Sequence, residues 1–340
     1  MRYLKTIVNI LLFIIAKHSF AQISDFNHID FKKADSIALS YNNEGLYNLP
    51  KLAYQLTCNL DTDAEKFRAI YFWVCHNISN NYSLYLRNKH QRHRFKNDSI
   101  KLKNWNKNFK KKLFKKLLKN NTTICTGYAY LVRELAKLAN IECNIIQGYG
   151  RVSTTNIETL DLPNHSWNAV KLNKKWYLCD PTWASGIPNP KTNHFSFQYN
   201  DGFFLAEPKL FAVNHFPVEA KWSLLEDNAP TFNAFLAAPI IYGKAYESLD
   251  QHTLPKQMHQ TIKRFEHVRF EYQLKKPIQP KDVVFKIDNG TSIENIIPMP
   301  ISVLNSTLKI EHQFTKKGFY DVHLYLEEHL ISTYTFKVED

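Results

Sequence analysis

Cysteine, histidine and aspartate are side chains with which a protein can attack a carbonyl carbon, carry the attendant proton and hold the proton carrier in one orientation. In this chain of 340 residues all three occur in two short stretches, NTTICTGYAY (121–130) and NHSWNAVKLNKKWYLCDPTW (164–183). Cys125 is the candidate nucleophile, His165 the candidate base and Asp180 the candidate orienter. A thiol attacks as the thiolate, so a pKa of about 8.5 has to be lowered. The free N–H groups and positive dipole end of a helix start do this. Tyr128, Leu131, Val132, Leu135 and Leu138 recur at helical spacing, which predicts a helix from about Thr123 to Ala139 with Asn140 suited to its stop. Cys125 then falls in the first turn, followed by small or flat residues, Thr126, Gly127, Tyr128 and Ala129, that allow close approach.

The other four cysteines lack such a setting. Cys58 and Cys75 lie in helical stretches and Cys143 and Cys179 at alternating strand positions, so they read as small hydrophobes. The count of five leaves at least one thiol unpaired in an oxidising compartment. No spacing is C-x-x-C, which excludes a zinc knuckle or thioredoxin motif. A Cys/His/Asp metal site has no close ligand pair in sequence, and no acidic loop of the EF-hand kind occurs. No metal or other cofactor is expected.

The elements that must position the three residues follow from a change of period after Asn140, from about 3.6 to 2. IECNIIQGYGRV, HSWNAVKL and KWYLCD read as short strands, the last two joined by a turn at Asn173-Lys174, and Pro181 ends the third. Setting His165 directly opposite Asp180 centres that turn between Leu172 and Asn173. The expected core is a helix carrying Cys125 packed on an antiparallel sheet, an α+β class. Upstream, DTDAEKFRAIYFWVCHNISNNY (61–82) reads as a helix capped by Asp61 or Asp63. From about Phe265 alternating runs separated by turns at Asp288-Asn289-Gly290 and Lys317-Gly318 read as a small β-sandwich of immunoglobulin type.

The expected organisation is thus a signal peptide (1–21), a main domain (22–250) with a basic insertion (87–119), and a β-sandwich (255–340). The leader rests on Arg2 and Lys5, the apolar stretch IVNILLFIIA, and small residues Ser19 and Ala21 before Gln22. It implies export, to the periplasm or the medium. The formal charge is +13, and removing Arg2, Lys5 and Lys17 leaves +10. Between Arg87 and Lys119 there are 14 Lys and Arg against one acid, Asp98. This block can meet an anionic surface; its sparse stacking aromatics, with export, argue against nucleic acid. Its second half is expected to be helical, with Phe109, Leu113, Phe114, Leu117 and Leu118 on one face and lysines on the other.

Three spaced motifs also resemble the transglutaminase-like superfamily, in its kyphoscoliosis-peptidase-like branch. They are CTGYAYLVRELAKLANIECNIIQGYGR, the block NHSWNAVKLNKKWYLCDPTW, and EKFRAIYFWVCHNI upstream, with FFLAEPKLFAVNHFPVEAKWSLL (203–225) following. The resemblance covers roughly residues 60 to 240 and implies a cysteine-protease-like core with Cys125 as nucleophile, His165 as base and Asp180 as its partner. The family commonly has glycine two residues before the cysteine; Thr123 stands here, and its side chain is expected to narrow the approach to the thiol. The implied function is that of an exported thiol enzyme acting on amide bonds of a protein or peptide through an acyl-thioester, with hydrolysis favoured over transamidation because water needs no second binding site. The competing reading is a non-catalytic binding or scaffold protein on the same fold.

Overall fold

The computed structural model describes residues 23–189, 191–298 and 301–340. The expected signal peptide lies outside the described residues. Among those described, no helix is long and apolar enough to cross a membrane.

Three helices, α1 (Lys32–Ser40), α2 (Leu49–Thr57) and α3 (Asp63–Asn77), open the fold. The cap of α3 is neither Asp61 nor Asp63 but Thr62. Its hydroxyl accepts from the Glu65 N–H while the Glu65 carboxylate accepts from the Thr62 N–H, a capping box that two bare aspartates do not provide. Phe67, Ile70, Tyr71, Trp73 and Val74 of α3 are fully buried. Arg68, on the same helix, bonds the Asp35 carboxylate through two nitrogens and also pairs with Asp201, so one buried guanidinium ties α1, α3 and the later chain together.

The basic insertion is a helical hairpin, α4 (Tyr82–Arg94) and α5 (Ser99–Asn120), helical in both halves rather than only the second. Its apolar stripe is covered from within the chain. Phe109 and Leu113 are buried with Ile124 and pack on Leu84, Tyr85 and Trp105, and Leu117 reaches the main core; Leu118 is left exposed. Lysines occupy the outer face, as a solvated amphipathic helix requires.

Helix α6 (Cys125–Leu138) follows and lies on a four-stranded antiparallel sheet of order β3-β2-β1-β4, formed by β1 (Cys143–Gly150), β2 (His165–Leu172), β3 (Lys175–Cys179) and β4 (His215–Pro217). Two polar anchors fix the helix. Buried Asn168 donates its amide to the Ala129 carbonyl at 2.9 Å, and the Tyr128 hydroxyl donates to Ile78 O at 2.5 Å. Gly127 is required because a Cβ there would sit 1.9 Å from the Thr123 hydroxyl. Thr123 is therefore turned into the interior against Gly127, fully buried, and does not narrow the approach to the thiol as expected.

The β2–β3 turn uses Asn173 and Lys174, both with positive φ (49° and 67°), the geometry of a tight hairpin. The ladder pairs Leu172 with Lys175 and Asn168 with Cys179. The turn thus centres one residue later than expected, between Asn173 and Lys174, and His165 is offset by two positions from Asp180. A two-residue offset keeps both side chains on one face; a one-residue slip would have parted them.

Past α7 (Pro181–Ser185) and α8 (Pro208–Asn214) the chain becomes strand-rich from Leu249. Strands 249–254, 267–274, 307–313 and 301–304 form one sheet; 259–263, 329–339, 318–326, 283–288 and 293–296 form the second. Their inner faces meet through Phe270, 4.7 Å from Phe285, and the Tyr272 and Tyr334 hydroxyls, 2.6 Å apart. Ile240 and Ile241 pair with Thr333 and Ser332, which stitches this region to the main core.

Candidate active site

Cys125 is the first residue of α6, with Ile124 as an N-cap that offers no side-chain acceptor. The Gly127 and Tyr128 N–H groups both bond the Ile124 carbonyl, which leaves those of Cys125 and Thr126 at the open end of the helix. His165 begins β2, lines the same two cavities as Cys125, and lies close enough to lower the thiol pKa. Its Nε2 meets Asp180 Oδ2 at 2.6 Å, so Nδ1 is the atom left to face sulfur. The ring lies flat against Trp183 (centroids 4.9 Å, 22° between planes) and is backed by Gly150, where a Cβ would meet the imidazole at 3.0 Å. The three sequence-predicted residues are thus brought together at one site.

Asp180 is fully buried and its carboxylate is saturated. Oδ1 accepts from the Thr182 and Trp183 N–H groups at 2.8 and 3.1 Å, as N-cap of α7. Oδ2 accepts from His165 and, at 3.0 Å, from Nε2 of His215. The backbone of Asp180 is pinned as well, its N–H donating to Phe203 O at 3.1 Å and its carbonyl accepting from the Tyr71 hydroxyl at 3.1 Å.

His215 is the residue that sequence reasoning missed. It begins β4, fully buried, with its ring stacked on Phe211 at 3.7 Å. Both its nitrogens face acceptors, Asp180 Oδ2 and, at 3.2 Å from Nδ1, the Phe211 carbonyl. A neutral ring has one N–H, and the carboxylate, as the stronger acceptor, takes it. Nothing in the spacing of His215 marks it; the only signal is its place in the NHFP segment that resembles the family.

Burial and charge divide these groups. Desolvation disfavours the Asp180 charge, yet the two imidazoles hold its carboxyl well below the usual range. Desolvation also opposes a charged His165, but Asp180 and the thiol push it up to about 10. Burial dominates at His215 and takes it down to about 4, so this ring stays neutral. At Cys125 burial would raise the pKa, but the hydrogen bond to His165 and its charge, helped by the Ser166 N–H, bring it below the ordinary thiol value. The imidazolium form of His165 thus shifts Cys125 towards the thiolate. By contrast Cys143 is pushed up to about 12 by burial, and Cys75 and Cys179 are well above the ordinary value. All five cysteines are free, and Cys58 is the exposed one.

The nitrogens of His165 and His215 and a carboxylate oxygen of Asp180 lie within 4.8 Å of one another, a ligand grouping made across the fold rather than within a sequence motif. All three residues are buried, and Oδ2 is already engaged by both imidazoles at hydrogen-bond distance. A metal would have to displace both contacts, so the grouping fits a carboxylate that orients His165.

Cys125 and His165 open onto two adjoining cavities. One, about 400 Å³, is walled by α4 through Tyr85, Lys89 and Arg92 and by the 159–166 segment. The other, about 630 Å³, is lined by Trp183, Phe203, Ile240 and Tyr242 among others.

This geometry has counterparts. Residues 50–181 match the profile of the transglutaminase-like superfamily. Those residues form a transglutaminase-like domain. The domain and its flanks are 33% identical over 198 residues to human kyphoscoliosis peptidase and 32% identical over 198 residues to its mouse counterpart, covering 58% of this chain and 27% of each relative. Hillarin of Drosophila melanogaster is 25% identical over 211 residues, 58% of this chain and 23% of that protein. The matches thus span about a quarter of the length of these relatives. The transglutaminase-like domain brings a thiol-type fold, and α6, β2 and the end of β3 are the elements within it that carry Cys125, His165 and Asp180.

Proposed function

We propose that this protein is a thiol enzyme that cleaves peptide amide bonds through an acyl-thioester on Cys125. The observation that carries the reading is the placing of Cys125 and His165 together at the junction of two cavities, with His165 bonded to a fully buried, four-times-bonded Asp180. The thiolate attacks the scissile carbonyl carbon, and the charge that develops on its oxygen meets the open N–H groups at the start of α6. As the C–N bond breaks, the imidazolium of His165 gives its Nδ1 proton to the leaving amine. Water then attacks the thioester, His165 takes its proton, and the acid and the free thiol are released. Asp180 holds the His165 tautomer throughout.

The resemblance of the flanks to kyphoscoliosis peptidase, a relative named as a peptidase, supports hydrolysis over amine transfer. The test is to incubate the protein with a peptide mixture and a labelled primary amine. Cleavage lost in Cys125→Ala, without label incorporation, supports the proposal. Stable incorporation that depends on Cys125 replaces it with transamidation, and neither activity with an unreactive thiol leaves a binding protein on this fold.

A further inference from the structure

The helical hairpin does more than decorate the surface, because α4 forms one wall of the 400 Å³ cavity at whose base Cys125 lies. Two cations of that wall, Lys89 and Arg92, have no carboxylate partner among the described residues. Arg92 is half-buried; one of its nitrogens, Nη1, donates to the Pro163 carbonyl at 2.7 Å, and its charge is close enough to Cys125 to interact with it. Its other donors are not engaged by any protein acceptor among the described residues. The one acid on this wall, Asp161, is already neutralised by Lys96 at 2.6 Å, with His93 at 4.0 Å. The cavity beside the nucleophile is therefore cationic and lacks its counter-charge. Lys89 also reaches the larger cavity, whose Lys244 pairs with Glu247 at 2.8 Å, whereas Arg92 lines the smaller one alone.

A guanidinium partly withdrawn from water, with free donors facing a cleft, is completed by a carboxylate that brings two acceptor oxygens. We propose, building on the thiol-enzyme reading above, that the acyl donor carries an acidic side chain, aspartate or glutamate, close to the scissile carbonyl, and that Arg92 and Lys89 bind it. The insertion then determines specificity: it selects acidic peptides and steers them to Cys125.

The test uses the whole protein and compares two reagents of nearly equal size, anionic iodoacetate and neutral iodoacetamide. Modification of Cys125 is read by peptide mass spectrometry, with exposed Cys58 correcting for the intrinsic difference between reagents. The iodoacetate preference at Cys125 is expected to fall about threefold in Lys89→Gln and up to about tenfold in Arg92→Gln, and to shrink in about 0.5 M salt. A matched pair of peptides bearing Glu or Gln should show the same loss of discrimination in kcat/KM. Arg92→Gln also loses the Pro163 contact, so Lys89→Gln, which has no partner among the described residues to lose, keeps the test valid if the first variant misfolds. A Cys125 that still reacts rapidly while the preference is unchanged in Lys89→Gln and in any folded Arg92→Gln overturns the acidic-substrate inference alone. A Cys125 unreactive to both reagents overturns the thiol-enzyme reading and this inference with it.

Discussion

Replacing His165 by alanine isolates what the imidazolium contributes to the nucleophile, and the protein supplies its own reference for the size of the effect. Cys143 is as buried as Cys125, 8% against 7% exposed, but has no imidazolium beside it and is pushed up to about 12. If Cys125 without His165 rose that far, its thiolate fraction at about pH 7.5 would be roughly 1 in 30,000. The helix start remains in the variant and works the other way. An ordinary thiol, with a pKa of about 8.5, would still be roughly one-tenth ionised at that pH. The wild-type thiol is lowered below the ordinary value, so the alkylation rate at Cys125 should drop in the variant, by at most about 3 × 10⁴-fold. The assay is timed iodoacetamide labelling followed by peptide mass spectrometry, with Cys58 as the internal clock. The pH dependence is the sharper readout. The variant should gain close to a decade in rate per pH unit from about 7 towards the thiol pKa, whereas the wild type, its thiol lowered, should reach its plateau at a lower pH. A rate within about threefold of wild type, or a flat profile in the variant, would refute the ion-pair argument.

Other outcomes follow from the same structure. His215 is held down to about 4 from an ordinary value of about 6.5, so the stability it contributes is present above 6.5 and lost as pH falls towards 4. The loss is of order 3 kcal/mol, and urea titrations of His215→Phe should lack this acid slope while the wild type shows it. His165 is shifted the other way, to about 10, so its contribution is complete below about 6.5 and lost as pH rises to 10; stability should therefore peak near 6.5 and lose its alkaline decline in His165→Ala. Gly127→Ala places a Cβ against Thr123 and should cost about 1–3 kcal/mol in chemical denaturation, with the cost reduced when Thr123→Gly is added; strictly additive effects would refute the close approach. Leu113→Ala opens a cavity beneath the hairpin and should cost about 2–5 kcal/mol, with faster amide exchange across Ser99–Asn120; a cost below about 1 kcal/mol would mean the stripe is solvated.

The helix bearing Cys125, the hairpin turn at Asn173-Lys174 and the stop at Asp180-Pro181 were all legible because each is written in local chemistry: apolar spacing, a turn dipeptide, a missing N–H. The register of β2 on β3 was not, since a turn at the same dipeptide can close with its centre one residue earlier or later, and only packing decides between them. The parity of that register, and hence the shared face of His165 and Asp180, survived the error. The capping of α3 by Thr62 was legible in principle, from the T-x-x-E spacing to Glu65, but was lost behind two neighbouring aspartates. His215 and the cleft wall were beyond sequence reasoning for a different cause. Both depend on where distant segments dock, and neither a histidine among 14 nor a run of lysines states what it will face.

The convergence on Asp180 Oδ2 carries a consequence for the order in which the molecule becomes reactive. Its two imidazole donors are fifty residues apart in the chain, His165 and His215, and synthesis delivers the second last. A growing chain thus holds Cys125, His165 and Asp180 well before it has the segment that closes over the carboxylate from the far side. Until β4 docks beside β1, the Asp180 carboxylate is short of one donor and that edge of the sheet is unpaired. The support of the carboxylate that bonds His165 is thus a late product of assembly, complete only when its most distant partner is home.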